Sequence, residues 1–293
     1  MKLPQRAPRG KSEVAIVGPG RVGQALGKLL AEAGVPITLI AARRPGAARR
    51  AARFVGSGRP VGIEDPRVTE ATVILLTTAD AALEPVARDL ARRRRDWSGR
   101  VVLHTCGSLP SSVLQPLRRR GAAIGSLHPF QTIPNPTAGV RNLKGCFWSI
   151  EGDAAARKVA AKWVKALGGV AFHIRPSKKT LYHAAAFLVC PTLVTLMDRS
   201  AWLLRQTGVP ARIVRPMLGQ FVEETVRNFV KLGGRRALTG PAVRGDWLTI
   251  QRHLRALRRS APDIIPLYRV LVRAMLRLTG RRLPPSLERI LKR

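Results

Sequence analysis

The segment V-A-I-V-G-P-G-R-V-G, which runs from Val14 to Gly23, decides the fold of this chain. It opens with four apolar residues, three of them β-branched, and such a run predicts a buried parallel strand. Gly18, Gly20 and Gly23 follow at G-x-G-x-x-G spacing, and residues Gln24 to Ala33 have a helical pattern. Because the glycines stand between a strand and a helix, the segment predicts a turn that binds a dinucleotide.

Each glycine of this turn has a separate mechanical role. The first lets the chain turn sharply, the second lets the backbone approach a pyrophosphate, and the third lets the helix pack closely on the strand. The phosphates then lie on free N–H groups at the helix N-terminus, where the macrodipole favours anions. We therefore assign Arg21 and Val22, together with the three glycines, to cofactor binding.

The residues after the second strand indicate which dinucleotide binds. NAD-binding domains carry an Asp or Glu about 20 residues beyond the glycines, where it binds the ribose 2′-hydroxyl. Here a short apolar strand, Ile37 to Ala41, leads to Ala42, Arg43 and Arg44. An acid would repel a 2′-phosphate, whereas arginine binds one through paired hydrogen bonds. The sequence therefore predicts NADP, with Arg43 and Arg44 as ligands, unless these are two ordinary arginines of an arginine-rich chain.

Apolar strand patterns alternate with helical patterns through the first half of the chain. This alternation predicts an α/β fold with a doubly wound parallel Rossmann sheet, whose ligands bind at the carboxyl ends of the strands. The further predicted strands are Ala71 to Thr77, Val101 to His104, Ala122 to Leu127, Phe147 to Ile150 and Val170 to Ile174. Residues expected to line one crevice at those ends are Gly18, Arg43, Thr77, His104 and His128. Of these, Thr77 and His104 are also assigned to cofactor binding.

The pattern is helical beyond Pro176, with no further strand predicted. The expected organisation is a disordered leader at 1–12, a Rossmann NADP-binding domain at 13–175, an all-helical C-terminal domain at 176–279 and a basic tail at 280–293. Pro191 should kink or break the first long helix, because proline removes a backbone hydrogen bond and clashes with the preceding turn. The predicted helices are Lys178 to Gln206, Ala211 to Leu232, Trp247 to Arg258 and Ile264 to Leu278.

The composition is strongly basic, with 52 Lys and Arg against 17 Asp and Glu and a net charge of +35 over 293 residues. The arginines occur in every segment, and few aromatic residues lie among them to stack on bases. This distribution favours a general arginine bias over specific nucleic-acid binding, which stays a third hypothesis behind the two given below. Non-specific polyanion binding is expected from the charge.

Two other features bear on location. The longest uncharged run, Thr180 to Met197, contains several polar groups and a proline, so we predict a buried core helix and not a membrane span. The first dozen residues lack the apolar segment of a signal peptide, and the three cysteines lack metal-type spacing. We therefore expect a cytoplasmic protein without a metal site.

A nicotinamide enzyme needs a group that moves a proton and groups that hold the substrate. Lys179, Tyr182 and His183 are three and four residues apart, so one helix face can present all three as candidate proton donors. His128 and Ser108, at predicted strand ends, are candidates for positioning the substrate. Each has a structural alternative: Lys179 could be a surface lysine, and His128 a turn residue beside its proline.

Five motifs in fixed order resemble those of one family: G-P-G-R-V-G, V-V-L-H-T-C-G-S, G-S-L-H-P-F-Q-T, L-Y-H-A-A-A and L-T-G-P-A-V-R-G-D. The chain resembles bacterial Rossmann-like proteins with a C-terminal domain of unknown function 2520. Their layout is similar to that of pyrroline-5-carboxylate reductases, deazaflavin-dependent NADP oxidoreductases and β-hydroxyacid dehydrogenases. The resemblance implies a helical second domain and a homodimer formed through it, but no particular substrate. One departure is Pro191, where the family pattern has an Asn.

These observations give a leading hypothesis and an alternative. The first is an NADP-dependent oxidoreductase that transfers hydride between NADP(H) and a small carbonyl, imine or hydroxy compound in an interdomain cleft. The alternative is a non-catalytic NADP-binding sensor or scaffold, favoured by Pro191 in place of an amide. Neither requires nucleic acid or a membrane as a partner.

Overall fold

The computed structural model describes residues 13–282. The chain divides into two compact units, the first ending at Pro191 and the second beginning at Thr192. The predicted leader at 1–12 and the tail from residue 283 onward lie outside the described residues. The helix that begins at Lys179 belongs to the first unit, whereas the sequence pattern groups it with the helical second half.

The first unit is built on an eight-stranded sheet with strand order β3-β2-β1-β4-β5-β6-β7-β8. Every neighbouring pair is parallel except β6 and β7. The strands are β1 (Val14–Val17), β2 (Ile37–Ala42), β3 (Arg59–Gly62), β4 (Val73–Leu76), β5 (Val101–His104), β6 (Ala123–Pro129), β7 (Phe147–Gly152) and β8 (Val170–His173). The predicted Rossmann fold class is confirmed.

One pair of neighbouring strands in this mostly parallel sheet is antiparallel. β6 ends at Pro129, which pairs with Trp148 near the start of β7. The connection between the two strands therefore begins and ends at the same edge of the sheet and does not cross it. The sequence pattern also does not predict β3, because this exposed edge strand contains Pro60 and only one buried residue.

Helices cover both faces of the sheet. Along β1, Val14 and Ile16 belong to one apolar core, and Ala15 and Val17 to the other, because successive side chains of a strand point to opposite faces. The helices of this unit are α1 (Arg21–Glu32), α2 (Pro45–Val55), α3 (Arg67–Glu70), α4 (Asp80–Arg93), α5 (Gln115–Arg118), α6 (Pro136–Leu143), α7 (Ala154–Ala166) and α8 (Lys179–Val189).

The second unit is helical, and its described residues contain no strand, as predicted. Asp246 accepts a hydrogen bond from the backbone N–H of Thr249 at 3.1 Å and so caps the helix that begins at Trp247. The remaining helices of the chain are α9 (Pro191–Gln206), α10 (Ala211–Leu232), α11 (Gly234–Ala237), α12 (Pro241–Arg244), α13 (Trp247–Ser260) and α14 (Ile265–Thr279).

Pro191 breaks the long apolar helix, as predicted: α8 ends at Val189 and α9 begins at the proline. The expectation of a buried core helix is wrong. Leu181 and Leu188 are both 68% exposed, and none of the apolar window within 176–206 is buried. By length and hydropathy, this helical run is the one stretch of residues 13–282 that could cross a membrane. The expectation failed because apolar composition does not show whether other residues of the chain pack on the helix.

Candidate cofactor and active site

The glycine-rich turn has the geometry of a phosphate cradle. Gly18 has a φ of +75°, and a Cβ there would lie 2.3 Å from Thr78 Cγ2; a Cβ at Gly23 would lie 2.1 Å from Thr77 Oγ1. The protein itself thus requires these two glycines. A Cβ at Gly20 would meet no protein atom closer than 3.8 Å. The bare backbone at Gly20 therefore leaves space beside the α1 N-terminus that a pyrophosphate could occupy.

A cavity of about 580 Å³ opens at this turn, and we call it the cofactor cavity. It is large enough for much of a dinucleotide. Five of the predicted cofactor residues line it: Gly18, Gly20, Arg43, Arg44 and Thr77. Arg21, Val22, Gly23 and His104 do not. Thr77 stabilises the turn, because its Oγ1 donates a hydrogen bond to the Gly18 carbonyl at 2.8 Å.

Arginines dominate the charge of the cofactor cavity. Arg43 and Arg44 follow β2 and are exposed, and Arg50 of α2 lines the same space. No ion pair joins these three to an acid within residues 13–282. The two acids of the lining, Glu64 and Asp89, both bind Arg93. Three available guanidinium groups suit a 2′-phosphate. The sequence pattern does not single out Arg50, which is one of several arginines on its helix.

A smaller cavity of about 320 Å³, which we call the second cavity, lies beside the end of β6. His128 Nδ1 lies 3.0 Å from the Tyr182 hydroxyl, and the ring centroids of His128 and His183 are 6.0 Å apart. Three of the predicted catalytic residues thus come together here. The lining consists of His128, Pro129, Phe130, Gln131, Thr132, His183, Ala186, Phe187, Val189, Cys190 and Pro191.

Gly107 brings the T-C-G-S loop against both histidines. A Cβ at this position would lie 2.5 Å from His128 Nε2 and 2.6 Å from His183 Cδ2. Any larger residue would push the rings out of place. This requirement was not predicted from the sequence, where the only trace of it is a glycine between a strand and a proline.

The His128–Tyr182 pair is electrically neutral at physiological pH. Burial, the charge of Lys179 and the neighbouring His183 lower the pKa of His128 to about 3. Burial raises the pKa of Tyr182, so its hydroxyl keeps its proton. A protonated phenol hydrogen-bonded to a neutral imidazole can donate a hydrogen bond or pass a proton.

Lys179 lies outside both cavities, fully buried. Its Nζ donates hydrogen bonds to Ser126 Oγ of β6 and, at 3.1 Å, to Glu151 Oε1 of β7. Glu151 also accepts hydrogen bonds from the N–H and the hydroxyl of Ser111, each at 2.7 Å. This buried cluster of Lys179, Glu151, Ser126 and Ser111 therefore joins α8, β6, β7 and the segment after the T-C-G-S loop. Its position argues against Lys179 as proton donor; Glu151 was not predicted from the sequence.

His104 and Ser108 have different placements from those expected. His104 is completely buried at the end of β5, and its Nδ1 accepts a hydrogen bond from the Cys106 N–H at 3.1 Å. Burial lowers its pKa well below the usual value, so it is a neutral structural histidine beneath the loop and not a cavity residue. Ser108 is half-buried, and its hydroxyl donates to Asp80 Oδ2 at 3.0 Å. The expected single crevice is thus two cavities, and Ser108 lines neither of them.

Two family models match the sequence. A model for a Rossmann-like domain matches residues 5–129, and one for a domain of unknown function, DUF2520, matches residues 146–275. Among curated proteins, none matches.

Several solved structures have the same fold. A candidate NADP oxidoreductase from Bacteroides fragilis is 23% identical with a TM-score of 0.73, covering 92% of this chain and 99% of that one. A Thermotoga maritima protein is 21% identical with a TM-score of 0.70, covering 91% and 98%. An imine reductase from Aspergillus terreus, in complex with NADPH4 and a dibenzazepine, is 18% identical with a TM-score of 0.64, covering 94% and 97%. The chain therefore carries a Rossmann-like domain followed by a DUF2520 domain, as its five motifs predict.

Proposed function

We propose that this protein is an NADP(H)-dependent oxidoreductase acting on a small carbonyl, imine or hydroxy compound. The observation that carries the proposal is the pairing of two sites at the carboxyl edge of one sheet. One is an arginine-lined phosphate cradle, and the other is a cavity lined by His128, whose Nδ1 is hydrogen-bonded to the Tyr182 hydroxyl. The names of two structural neighbours, an NADP oxidoreductase and an imine reductase, support the same reaction class.

The cofactor-binding part of the proposal rests on charge and backbone geometry. Gly20 and the α1 N-terminus would hold the pyrophosphate, while Arg43, Arg44 and Arg50 would bind the 2′-phosphate. When bound, NADP(H) supplies or accepts the hydride. The protein's own contribution is to fix the cofactor and to exclude NAD(H), which lacks the phosphate that the arginines bind.

The substrate part rests on the second cavity. Tyr182 is the best candidate to give or take the proton, because its hydroxyl is protonated and bonded to the neutral His128. His183 faces the same cavity and is the next candidate. Lys179 is better described as the anchor of α8, since Glu151 and Ser126 occupy its ammonium group. Gly107 keeps both histidine rings in place.

A direct test begins with the cofactor. Titration with NADPH and NADH should show much tighter binding of NADPH, and equal affinities would contradict the assignment of the arginines. NADPH oxidation is then measured against panels of small ketones, aldehydes and cyclic imines. For any ketone or aldehyde substrate found, Tyr182→Phe should lower kcat by about 100-fold, as expected for loss of a proton donor.

Pro191 favours a second candidate function, that of an NADP sensor or scaffold without catalysis. The proline lines the second cavity at the position where the family pattern has an amide, and proline offers no side-chain hydrogen bond to a substrate. Tight NADPH binding with no oxidation by any panel member would favour the sensor. Pro191→Asn provides a further comparison, because gain of turnover in this variant would identify the missing group.

We also propose a homodimer formed through the apolar helices. Leu181 and Leu188 of α8 and Phe221, Phe229 and Val230 of α10 are all more than half exposed. Exposed apolar surface of this kind is typical of an interface. Sedimentation should show a dimer that dissociates in Phe229→Asp, whereas a monomer in which detergent or vesicles cover this surface would contradict the proposal.

We also propose a cytoplasmic location and nucleic-acid binding that is only non-specific. The three free cysteines, two of them buried, are consistent with the reducing cytoplasm. The arginines of residues 13–282 occur on many helices, which supports non-specific polyanion binding only. Retention on DNA should therefore fall steeply with salt and show no sequence preference.

A further inference from the structure

An exposed carboxylate lies beside the cofactor cavity, close enough to the second cavity for its charge to act on His128. Asp80 is the first residue of α4, and the preceding Ala79 lines the cofactor cavity. Its Oδ2 accepts the hydrogen bond from Ser108 Oγ at 3.0 Å. The residue before this serine, Gly107, lies against the two histidine rings of the second cavity. Asp80 and Ser108 line neither cavity, but each follows a residue that lines or contacts one of them, Ala79 for the cofactor cavity and Gly107 for the second cavity.

The charge of Asp80 has no basic partner among residues 13–282. Within residues 13–282, no Lys or Arg forms an ion pair with this carboxylate, although the chain has 52 basic residues and only 17 acidic ones. The nearby Lys179 is buried and bound to Glu151. The N-terminus of α4 favours an acid in its first turn. That preference does not explain why the Ser108 hydroxyl donates a hydrogen bond to the Asp80 carboxylate.

The neighbouring titratable groups do not neutralise Asp80 either. His128 is uncharged at physiological pH because of burial and the charge of Lys179. Burial also raises the pKa of the Cys106 thiol, which lies 3.3 Å from Ser108 Oγ and is therefore neutral. Asp80 is thus an exposed negative charge in a strongly basic protein. Such a site attracts cations and repels anions.

We propose that Asp80 and Ser108 form the recognition site for a cationic nitrogen, so that the substrate is a protonated imine and the product an amine. This proposal rests on the oxidoreductase function and narrows its substrate class. Asp80 would bind the charged nitrogen, and the serine hydroxyl would hold the carboxylate in its orientation. The apolar side of the second cavity, with Phe130 and Phe187, would accept the hydrocarbon part.

The reaction balances without any further reactant. The iminium carbon gains a hydride, which oxidises NADPH to NADP⁺, and the electron pair of the C=N π bond moves to nitrogen. Because the nitrogen enters with its proton, the product is a neutral amine that takes one proton from water. The Tyr182–His128 pair then needs only to position the substrate during reduction of an iminium ion.

The test compares Asp80→Asn with a matched control on the same helix. Asp80→Asn keeps the size of the side chain and an acceptor for Ser108. Glu84→Gln likewise removes one negative charge from α4, at an exposed position that pairs with Arg88. Calorimetry of the NADP⁺-loaded protein measures binding of tetrahydroisoquinoline, an ammonium ion at neutral pH, and of tetralol, a neutral alcohol with a similar fused-ring skeleton. Turnover is measured with dihydroisoquinoline and with the ketone tetralone.

In wild type the ammonium ion should bind tighter than tetralol, and Asp80→Asn should weaken it by about tenfold or more, the usual loss for a hydrogen bond to a charged group. KM for the imine should rise in parallel, whereas NADPH affinity, tetralol binding and the Glu84→Gln variant should stay unchanged. Equal binding of the two probes to wild type, or equal losses in both variants, would overturn the inference. If ammonium binding depends on Asp80 but no NADPH is oxidised, the result would contradict the oxidoreductase function and leave the cation site standing.

Discussion

The cofactor cavity and the second cavity lie at the same edge of one sheet but are built in different ways. The cofactor cavity is open and positively charged, and Gly18, Gly20, Arg43 and Arg44 form much of it within 27 residues of sequence. The second cavity contains the uncharged His128 of β6, which contacts Tyr182 of α8, 54 residues further along the chain. The first therefore depends on local backbone geometry, and the second on tertiary packing.

This difference has consequences for how each cavity responds to mutation. The arginines of the cofactor cavity are exposed, so changes there should affect binding with little effect on folding. The second cavity depends on the buried cluster of Lys179, Glu151, Ser126 and Ser111, which fixes α8 and its neighbours. Changes in this cluster should affect folding first. Four predictions test the contrast.

Loss of Lys179 should have the largest effect. Lys179→Met leaves Glu151 buried with an uncompensated charge, which typically costs about 3–5 kcal/mol in the free energy of unfolding. Urea denaturation of the full chain measures this, and the exposed neighbour Lys178→Met is the control. The double variant with Glu151→Gln should recover much of the loss. A catalytic, loosely held Lys179 would instead give a stable Lys179→Met protein.

The paired substitution of Arg43 and Arg44 by alanine should be next in size. Loss of two charge-assisted hydrogen bonds should weaken NADPH binding by about 100-fold, while NADH affinity and the urea midpoint change little. Arg49→Ala, an exposed arginine of α2 outside the cavity lining, is the control. If NADPH affinity is the same in the paired variant and the control, the 2′-phosphate site is elsewhere.

Alanine substitutions at Gly18 and Gly20 should have different effects, the first on stability and the second on NADPH binding. Gly18→Ala places a Cβ against Thr78 at a positive φ, so it should lower the melting temperature. Gly20→Ala has room in the protein, so its melting temperature should stay unchanged while NADPH affinity falls by about tenfold through contact with the pyrophosphate. Similar losses of stability in both variants would mean that Gly20 is also required by the fold alone.

The same contrast explains how much could be predicted from the sequence. The glycine turn, the arginines after β2 and the end of α8 before Pro191 follow from local patterns, and each was predicted. Glu151, Asp80 and Gly107 were not, because their roles depend on residues 28 to 40 positions away or on rings from other elements. Burial of Lys179 and exposure of Leu188 likewise depend on packing, which hydrophobic periodicity does not show.

The neutral state of His128 gives the smallest predicted effect and the sharpest test of the second cavity. Its pKa is about 3 in the folded protein and about 6.5 when unfolded. Between these values the unfolded chain binds a proton that the folded chain does not, so this contribution to stability is complete above about pH 6.5 and is lost as the pH falls toward 3.

Between about pH 6.5 and 5.5, the free energy of unfolding should therefore fall by about 1 kcal/mol because of this histidine. His128→Gln removes that proton uptake, so its urea midpoint should depend less steeply on pH than that of wild type, whereas His253→Gln, in the second unit, should leave the slope unchanged. His104 is present in wild type and in both variants, so it contributes equally to the pH dependence of the urea midpoint in all three. Parallel curves for wild type and His128→Gln would mean that His128 is charged in the folded state. Tyr182 would then face an imidazolium, and the contrast between an uncharged His128 and the charged arginines of the cofactor cavity would disappear.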